Sequence, residues 1–503
     1  MSSRAGVEAS MVCEGFLAKR GGRAAVGLML ALAGAGCSAE GDNAGSGDRG
    51  SGSNPGGDFS NATPTGSQGS TTAGGGDFGN STANPTSGTP QILNPNANSD
   101  GTGGEVEFSY IWIANSAEGT VSKVDTRTLE EKGRYLTSPN GLGLPSRTSV
   151  GADGNVAVAN RGGATNALGG DGGGVTKIYA SEQDCPDTNG NGMVDTSTGA
   201  NDVLPWGEDE CIAWHTPLAY YSNRPVAWAP APAPDAPADV WTAGSSSCLP
   251  AACSIEVLRL DGQTGAIKDS VTVDSLMGVD FIAAGLAGGL LGFLGGLPGV
   301  IDNYGPYGGA ADSGGNFWTF VANTTQLIRI DAVTLEARIW DIQPAGNGYG
   351  LTLDEKGRIH LCGALGISRF DPATETWATS TGGPLLGFNG CMTDGAGKIW
   401  VGGGVDFGDP GLHAYDAETL AHVQSFPVGA VKGVSIDVDG YIWGVGSGGA
   451  FGTGAGSANT AWRVDPNDGT TETYDGLNGA YSYSDMTGFG LSQAGYQEPP
   501  PLE

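Results

Sequence analysis

The sequence predicts an all-β fold: a seven-bladed β-propeller closed by its own C-terminal strand, with a six-bladed ring plus a decorated insertion as the alternative. Two recurring phrases and one compositional excess predict it. The first phrase is G-x-x-x-D, a short turn, then an aromatic or aliphatic strand. It reads GGAADSGGNFWTF from Gly308, GLTLDEKGRIHLCG from Gly350, GCMTDGAGKIWVGG from Gly390 and GVSIDVDGYIWGVG from Gly433. These lead glycines stand 42, 40 and 43 residues apart, a period that belongs to repeat architectures. The second phrase is an alternating strand ending in Asp, at Asp125, Asp261, Asp331, Asp371, Asp416 and Asp465. Period-two alternation followed by D-x-x-T or D-P-x-T makes antiparallel strands joined by tight hairpins. Together the phrases supply four strands per roughly 40 residues, the size of a propeller blade. The excess is glycine, 90 of 503 residues. It excludes a coiled coil or long bundle, because Gly costs about 1 kcal/mol per helical position. Without a Gly-X-Y period it is not collagen either.

Residues 1–36 read as an export signal. Arg4, Lys19, Arg20 and Arg23 precede the apolar run Ala24–Gly36. That run has 13 residues, short of the roughly 20 a membrane helix needs. Its basic lead is long, which places Met11 beside Met1 as a start. The ending Ala35-Gly36-Cys37 resembles the lipobox of bacterial lipoproteins, which implies acylation at Cys37. Ser38 resembles the sorting context of outer-membrane lipoproteins. The expected location is therefore the bacterial outer membrane or the cell surface. After Cys37, residues to 104 are Gly, Ser, Asn, Thr, Pro and Asp with few aliphatics. Such a segment cannot bury enough surface to offset its ordering entropy. As a coil it reaches about 45 Å, a tether holding a head off a membrane.

The propeller is placed at 105–493, with a tail at 494–503. The first blade, YIWIANSAEGTVSKVD, lacks a G-x-x-x-D strand. The C-terminal phrase SDMTGFGLSQ (Ser484–Gln493) is expected to supply it and so remove the open edges. Fainter copies of the first phrase start at Thr148 and Asn223, the latter with a Pro-rich insert. A seventh alternating strand lies in GGGVTKIYASEQDCPD, where an insertion at about 184–215 replaces the turn at Asp184. A second insertion, at about 281–302, contains 21 uncharged residues, Phe281–Ile301. That is long enough to cross a membrane, yet a span would put the two halves of the ring on opposite sides. The expectation is a Gly-rich helix or loop packed over a propeller face, or an apolar surface that docks a membrane or partner.

The blade phrases resemble NHL-type propellers, and most closely the streptogramin lyase (virginiamycin B lyase) group. The resemblance covers about 105–493 and rests on blade-building residues, so it implies fold more than activity. For that group it implies opening of a cyclic ester by elimination, with His and Glu side chains and a divalent metal on one face. The family's acidic residues follow the tryptophan strands. Here those places read IWIANS, VAVANRG, VWTAGS, FWTFVAN, IHLCGA, IWVGGG and IWGVGSG, without a Glu. The four histidines, His215, His360, His413 and His422, form no His-x-Glu or His-x-His pair. No catalytic residue is expected.

The first insertion carries the sharpest local motif. Asp187, Asn189, Asn191 and Asp195 occupy positions 1, 3, 5 and 9 of D-x-[DN]-x-[DN]-G, with Gly192 at the bend and the Met193 carbonyl at position 7. Hard oxygens at alternate positions suit Ca²⁺; the alternative is a polar Asn-Gly turn without metal. Position 12 is Thr198 in place of the bidentate Glu, leaving Asp202, Glu208, Asp209 or Glu210 to complete the set. Setting aside Cys13 and Cys37, six cysteines remain, which allow 15 pairings. The local choices are Cys185–Cys211, Cys248–Cys253 and, between neighbouring blades, Cys362–Cys391.

A formal charge of −31 repels phosphate backbones and argues against nucleic acid as partner. The functional expectation is a cell-envelope lipoprotein whose propeller is a non-enzymatic binding module for a protein, peptide or glycan. The alternative is a metal-dependent lyase or hydrolase of the streptogramin lyase kind.

Overall fold

The computed structural model describes residues 109–493, apart from 163–172, 221, 234–235, 250–251, 277–304, 323–325, 345–347, 364–365, 406 and 448–456. The signal, Cys37, the tether, the apolar insertion 281–301 and the tail thus lie outside the described residues. Seven antiparallel sheets form the head. Blade one contains β1 (Tyr110–Asn115), β2 (Thr120–Asp125) and β3 (Glu131–Leu136). Blade two contains β4 (Pro145–Val150), β5 (Val156–Asn160), β6 (Gly174–Ile178) and β7 (Ile212–Pro217). Blade three contains β8 (Ser222–Trp228), β9 (Asp239–Leu249), β10 (Ala252–Asp261) and β11 (Ile267–Leu276). Blade four contains β12 (Gly305–Ala311), β13 (Phe317–Ala322), β14 (Gln326–Ile330) and β15 (Ala337–Asp341). Blade five contains β16 (Gly350–Leu353), β17 (Ile359–Gly363), β18 (Gly366–Asp371) and β19 (Thr376–Thr379). Blade six contains β20 (Cys391–Thr393), β21 (Lys398–Gly403), β22 (Gly411–Asp416) and β23 (His422–Phe426). Blade seven contains β24 (Val431–Ile436), β25 (Ile442–Gly446), β26 (Ala461–Val464) and β27 (Thr471–Tyr474). The expected seven blades are present, and the six-bladed alternative is not.

Burial explains the patterning. Strands β4, β5 and β6 are buried along their whole length, because each blade is covered on both faces by its neighbours. Outermost strands such as β15, β23 and β27 are largely exposed. Among the described residues, seven apolar clusters fall one at each blade interface. One packs Trp241 and Val257 against Phe317 and Ile328, joining blades three and four. Another packs Ile111 and Val124 against Trp443 and Val445, joining blade one to blade seven.

The two phrases each have a physical cause. In the first, one Asp oxygen caps the turn and the other holds the next strand. Asp394 Oδ1 accepts from Ala396 N and Lys398 N, while Oδ2 accepts from Trp400 Nε1 at 3.0 Å. Asp312 with Trp318 and Asp437 with Trp443 repeat this, at 2.8 Å each. In blade five, His360 takes the tryptophan's place, its Nε2 lying 3.0 Å from Asp354 Oδ2. Burial drives the proton off His360, so the neutral ring donates Nε2–H. Arg358 Nε, 2.7 Å away, balances the Asp354 carboxylate. In five of the six second phrases the Asp carbonyl accepts from the residue four further on, as in Leu335 N to Asp331 O at 3.0 Å. That fourth residue has positive φ in all six turns: Leu129, Gly265, Leu335, Glu375, Leu420 and Gly469.

The ring closes by the C-terminal segment, but not over the predicted span. Backbone bonds run from Tyr481 N to Ala114 O (3.0 Å) and from Trp112 N to Met486 O (2.8 Å), with a bridge between Asn115 and Ala480. Residues 480–486 therefore fill the inner place of blade one. Ser484 Oγ also bonds Thr148 in β4, and Met486 N donates to Ser435 Oγ in β24. The rest of the predicted strand is helix α1 (Phe489–Gln493). Asp485 causes the change, its carboxylate accepting from Gly488 N and Leu491 N. The helix lies across one end of the channel, touching β12, β16 and β24. The first insertion also needs correction. It interrupts blade two between β6 and β7, and 212–217 return to the sheet. His215 is therefore a strand residue, paired with Thr176. Among the described residues no helix is long and apolar enough to cross a membrane.

Two outcomes are expected. Ending the chain after Gly479 leaves β1 with an open inner edge, so cooperative unfolding in urea should be lost. Asp354→Asn removes the buried carboxylate that holds Arg358 and His360, leaving Arg358 only the exposed Glu418 at 2.9 Å, and should cost about 1.5–3 kcal/mol at neutral pH. Burial pushes the Asp354 carboxyl up, but His360 and Arg358 outweigh it and hold it below the usual range. The deficit of the variant should therefore persist to the ordinary carboxylate range and shrink only below it, as urea titrations at several pH values would show.

Candidate functional site

Each inner strand runs from the end where the chain arrives from the previous blade toward its Asp turn. At the arrival end, side chains from all seven blades converge on the channel. Arg147 and Arg224 are third in β4 and β8, Tyr307 is third in β12, and Lys432 is second in β24. Tyr349 and Phe388 precede β16 and β20, and the closing segment brings Tyr481 and Tyr483. Register slips fall at this end of β4, β8, β12 and β24, between Pro145 and Arg147, Asn223 and Val226, Pro306 and Gly308, and Val431 and Gly433. Such bulges re-aim side chains. Close approach at the axis needs glycine: a Cβ on Gly433 would meet the Ser482 carbonyl, and one on Gly390 would meet Tyr483.

The mouth is aromatic and cationic. Tyr307 Oη donates to Tyr349 Oη at 2.7 Å, and Tyr481 Oη lies 2.6 Å from Tyr349 Oη and 3.1 Å from Tyr307 Oη. Arg147 stacks on Tyr483, with Cζ 3.6 Å from the ring centre. Arg224 lies 4.6 Å from the Tyr307 ring centre and donates to Tyr483 Oη at 3.2 Å. Lys432 Nζ sits 4.1 Å from the Tyr349 ring centre and donates to the Phe388 carbonyl at 2.6 Å. Arg161 adds a fourth cation, 5.0 Å from the Tyr481 ring centre. Burial pushes the Tyr307 and Tyr349 hydroxyls well up. At Tyr481 burial acts the same way, but the Arg224 and Arg161 charges and bonds from Tyr307 and Tyr349 outweigh it and bring it down to about 8.

The disulfide Cys362–Cys391 braces this end, with a Cα separation of 6.3 Å. It joins the second strand of blade five to the inner strand of blade six. Tyr349 N donates to the Cys362 carbonyl at 3.0 Å. Cys185–Cys211 closes the first insertion. Cys248 and Cys253 face each other in the β9–β10 register, and their side chains lie outside the described residues.

The insertion leaves blade two from the opposite end. Within it, Asn189 Nδ2 and Asn191 Nδ2 both donate to Asp195 Oδ2 at 2.7 Å. Asp187 accepts from Gly190 N and Gly192 N, and Asn191 Oδ1 from the exposed Met193 N. Four of the predicted oxygen-bearing side chains thus meet in one turn. Glu210 folds the loop instead of completing the set. Its oxygens accept from Asp195 N, the Thr188 hydroxyl and Thr188 and Asn189 N, which brings its carboxyl down to about 2. Asp209 is likewise spent on Thr196, Ser197 and Cys211 N, and Asp202 on Thr198. Among the described residues no group of three or more His, Cys, Asp or Glu side chains is placed to hold a metal. The histidines stay within their blades: His360 is in its blade core, His215 bonds Thr176, and His413 and His422 share the Ser425 hydroxyl in blade six with ring centres 6.4 Å apart.

Sequence reasoning missed the mouth because it followed the residues after each tryptophan strand. The signal stood just ahead of each lead glycine, where Tyr307, Tyr349, Asn389 and Lys432 occur.

The fold and this mouth define a seven-bladed propeller with a cationic–aromatic channel end. No protein-family model matches the chain, and no curated protein matches it. Among solved structures it is similar to virginiamycin B lyase from Staphylococcus aureus, at 13% identity over 67% of this chain and 86% of that one, with a TM-score of 0.40. It is similar to a streptogramin B lyase structure at 12% identity, over 67% and 86%, with a TM-score of 0.41. A protein from Lactobacillus plantarum matches at 11% identity over 75% and 98%, with a TM-score of 0.47. The resemblance to streptogramin lyases read from the blade phrases is thus met again among solved structures, and it concerns fold.

Tyr481 should ionise before Tyr307 and Tyr349, near pH 8, as a step in tyrosinate absorbance that Tyr481→Phe removes. Its folded value lies below the ordinary tyrosine value of 10.0. Wild type should therefore gain stability over the variant as pH rises through about 8, with the gain complete near 10.

Proposed function

We propose that this protein is an exported, lipid-anchored binding head of the bacterial outer membrane or cell surface. Cys37 carries the lipid, the segment to residue 104 is the tether, and the propeller binds a protein, peptide or glycan without chemical turnover. The observation that supports this is the convergence of Arg147, Arg224, Tyr307, Tyr349, Lys432 and Tyr481 on one mouth, while each histidine is placed within a blade. Aromatic faces with cations at their rims suit recognition of a polar ligand. Palmitate labelling that depends on Cys37 is the expected result for the anchor. Binding of envelope glycans and peptides to the head should weaken when Tyr349 and Tyr481 are replaced by Ala.

The insertion is proposed as a calcium loop. Asp187, Asn189, Asn191 and Asp195 would hold the ion with the Met193 carbonyl, a hard-oxygen set that fits Ca²⁺. Calcium would stiffen the loop and supply no chemistry. Titrating the head (residues 105–503) with calcium should raise its melting temperature, and Asp187→Ala with Asp195→Ala should abolish that rise.

One observation favours a second reading, a lyase or hydrolase. The Tyr481 hydroxyl, brought down to about 8, suits a general base. A streptogramin-opening assay with Mg²⁺ or Mn²⁺ separates the two. No turnover is expected; turnover that Tyr481→Phe abolishes would overturn the binding reading.

A further inference from the structure

Arg147 is 1% exposed, yet only part of its hydrogen-bonding capacity is used. Nη1 donates to the Tyr483 carbonyl at 3.2 Å, and the flat face of the guanidinium is covered by the Tyr483 ring. Nε and Nη2, both buried, have no partner. These two nitrogens form the side edge of the guanidinium, the fork that grips two oxygens of one anion. Burying a cation with its fork unmatched is strongly unfavourable. None of the ion pairs among the described residues includes Arg147, so no described residue supplies the anion. Arg224 stands at the matching position of the next inner strand and adds to the positive potential there.

We propose that the mouth seats a carboxylate, gripped by the Nε–Nη2 edge of Arg147 and walled by the mouth tyrosines. The seat rests on the binding-head reading and names the ligand's anchoring group. A planar two-oxygen anion matches the fork, and the rings of Tyr307, Tyr349 and Tyr483 suit the organic body that carries it. The approach is past Tyr349 and Tyr481, which are half-buried, and Phe388, which is 39% exposed. Arg147 is buried against Tyr307 and Tyr483, so binding requires rings of the mouth to swing aside. A free organic acid and a peptide C-terminus present the same group.

Calorimetric titration of the full head with benzoate, N-acetylphenylalanine and its neutral amide tests the seat, with phosphate at matched ionic strength. Both acids should bind saturably and the amide should not; the tighter acid identifies the source. Arg147→Gln should weaken both by at least about tenfold. Arg147→Lys keeps the charge but loses the fork, so it should fold as wild type and still lose most of the affinity. It carries the test if Arg147→Gln fails to fold. Bound carboxylate should also move Tyr481 ionisation to higher pH by offsetting the cations that favour the phenolate, and Arg147→Lys should erase that movement. Binding of the amide as tight as the acids, a preference for phosphate, or equal affinity in wild type and Arg147→Lys would each overturn the proposal. A head that binds an envelope ligand but ignores both acids sinks this seat alone. A head that binds the acids but no envelope ligand sinks the binding-head reading alone.

Discussion

Everything in this head depends on one strand's worth of backbone, residues 480–486, lying against β1. A single chain that winds seven sheets around an axis begins with an edge and ends with one, and unpaired edges are open to other chains. Here the last segment supplies the inner place of the first blade, so the two ends of the chain hold each other. The same residues carry Tyr481 and Tyr483 into the channel. Closing the ring and assembling the mouth are therefore one event, and a chain that fails at the first cannot form the second.

Around that closure the structure is repetitive because each interface solves the same problem. A sheet covered on both faces needs apolar side chains on both, and it needs its turns fixed without extra residues. In blades four, six and seven one carboxylate meets the second need by capping a turn with one oxygen and holding an indole with the other. Blade five shows the constraint by departing from it. With His360 in place of Trp, the Asp accepts from an imidazole and is balanced by Arg358. Part of the acid excess of the chain is thus turn chemistry. The cations of the mouth stand apart from it, buried among rings where charge is screened least.

The fold was legible because its signals are local. Gly308, Gly350, Gly390 and Gly433 mark the repeat, and the Asp-ended strands mark the hairpins, with no knowledge of distant contacts required. Local reading failed where a side chain redirected the backbone: Asp485 turns the expected final strand into helix, and 212–217 rejoin blade two after the disulfide loop. It failed more fully at the mouth. Arg147, Arg224, Tyr307 and Tyr481 are spread over more than three hundred residues, and none belongs to a recognisable motif.

The sequence by itself determined the blade count, the turn chemistry, and the composition of the calcium-type loop. Each of these depends on residues within one hairpin or one insertion. Only the tertiary structure decided that residues ahead of the lead glycines, with two tyrosines from the C-terminal segment, share one channel mouth. Their proximity follows from circular closure, which sets side chains far apart in the chain at a common axis. Whether a buried guanidinium finds a partner is settled there, by the geometry of seven strands meeting, and no stretch of sequence contains that information.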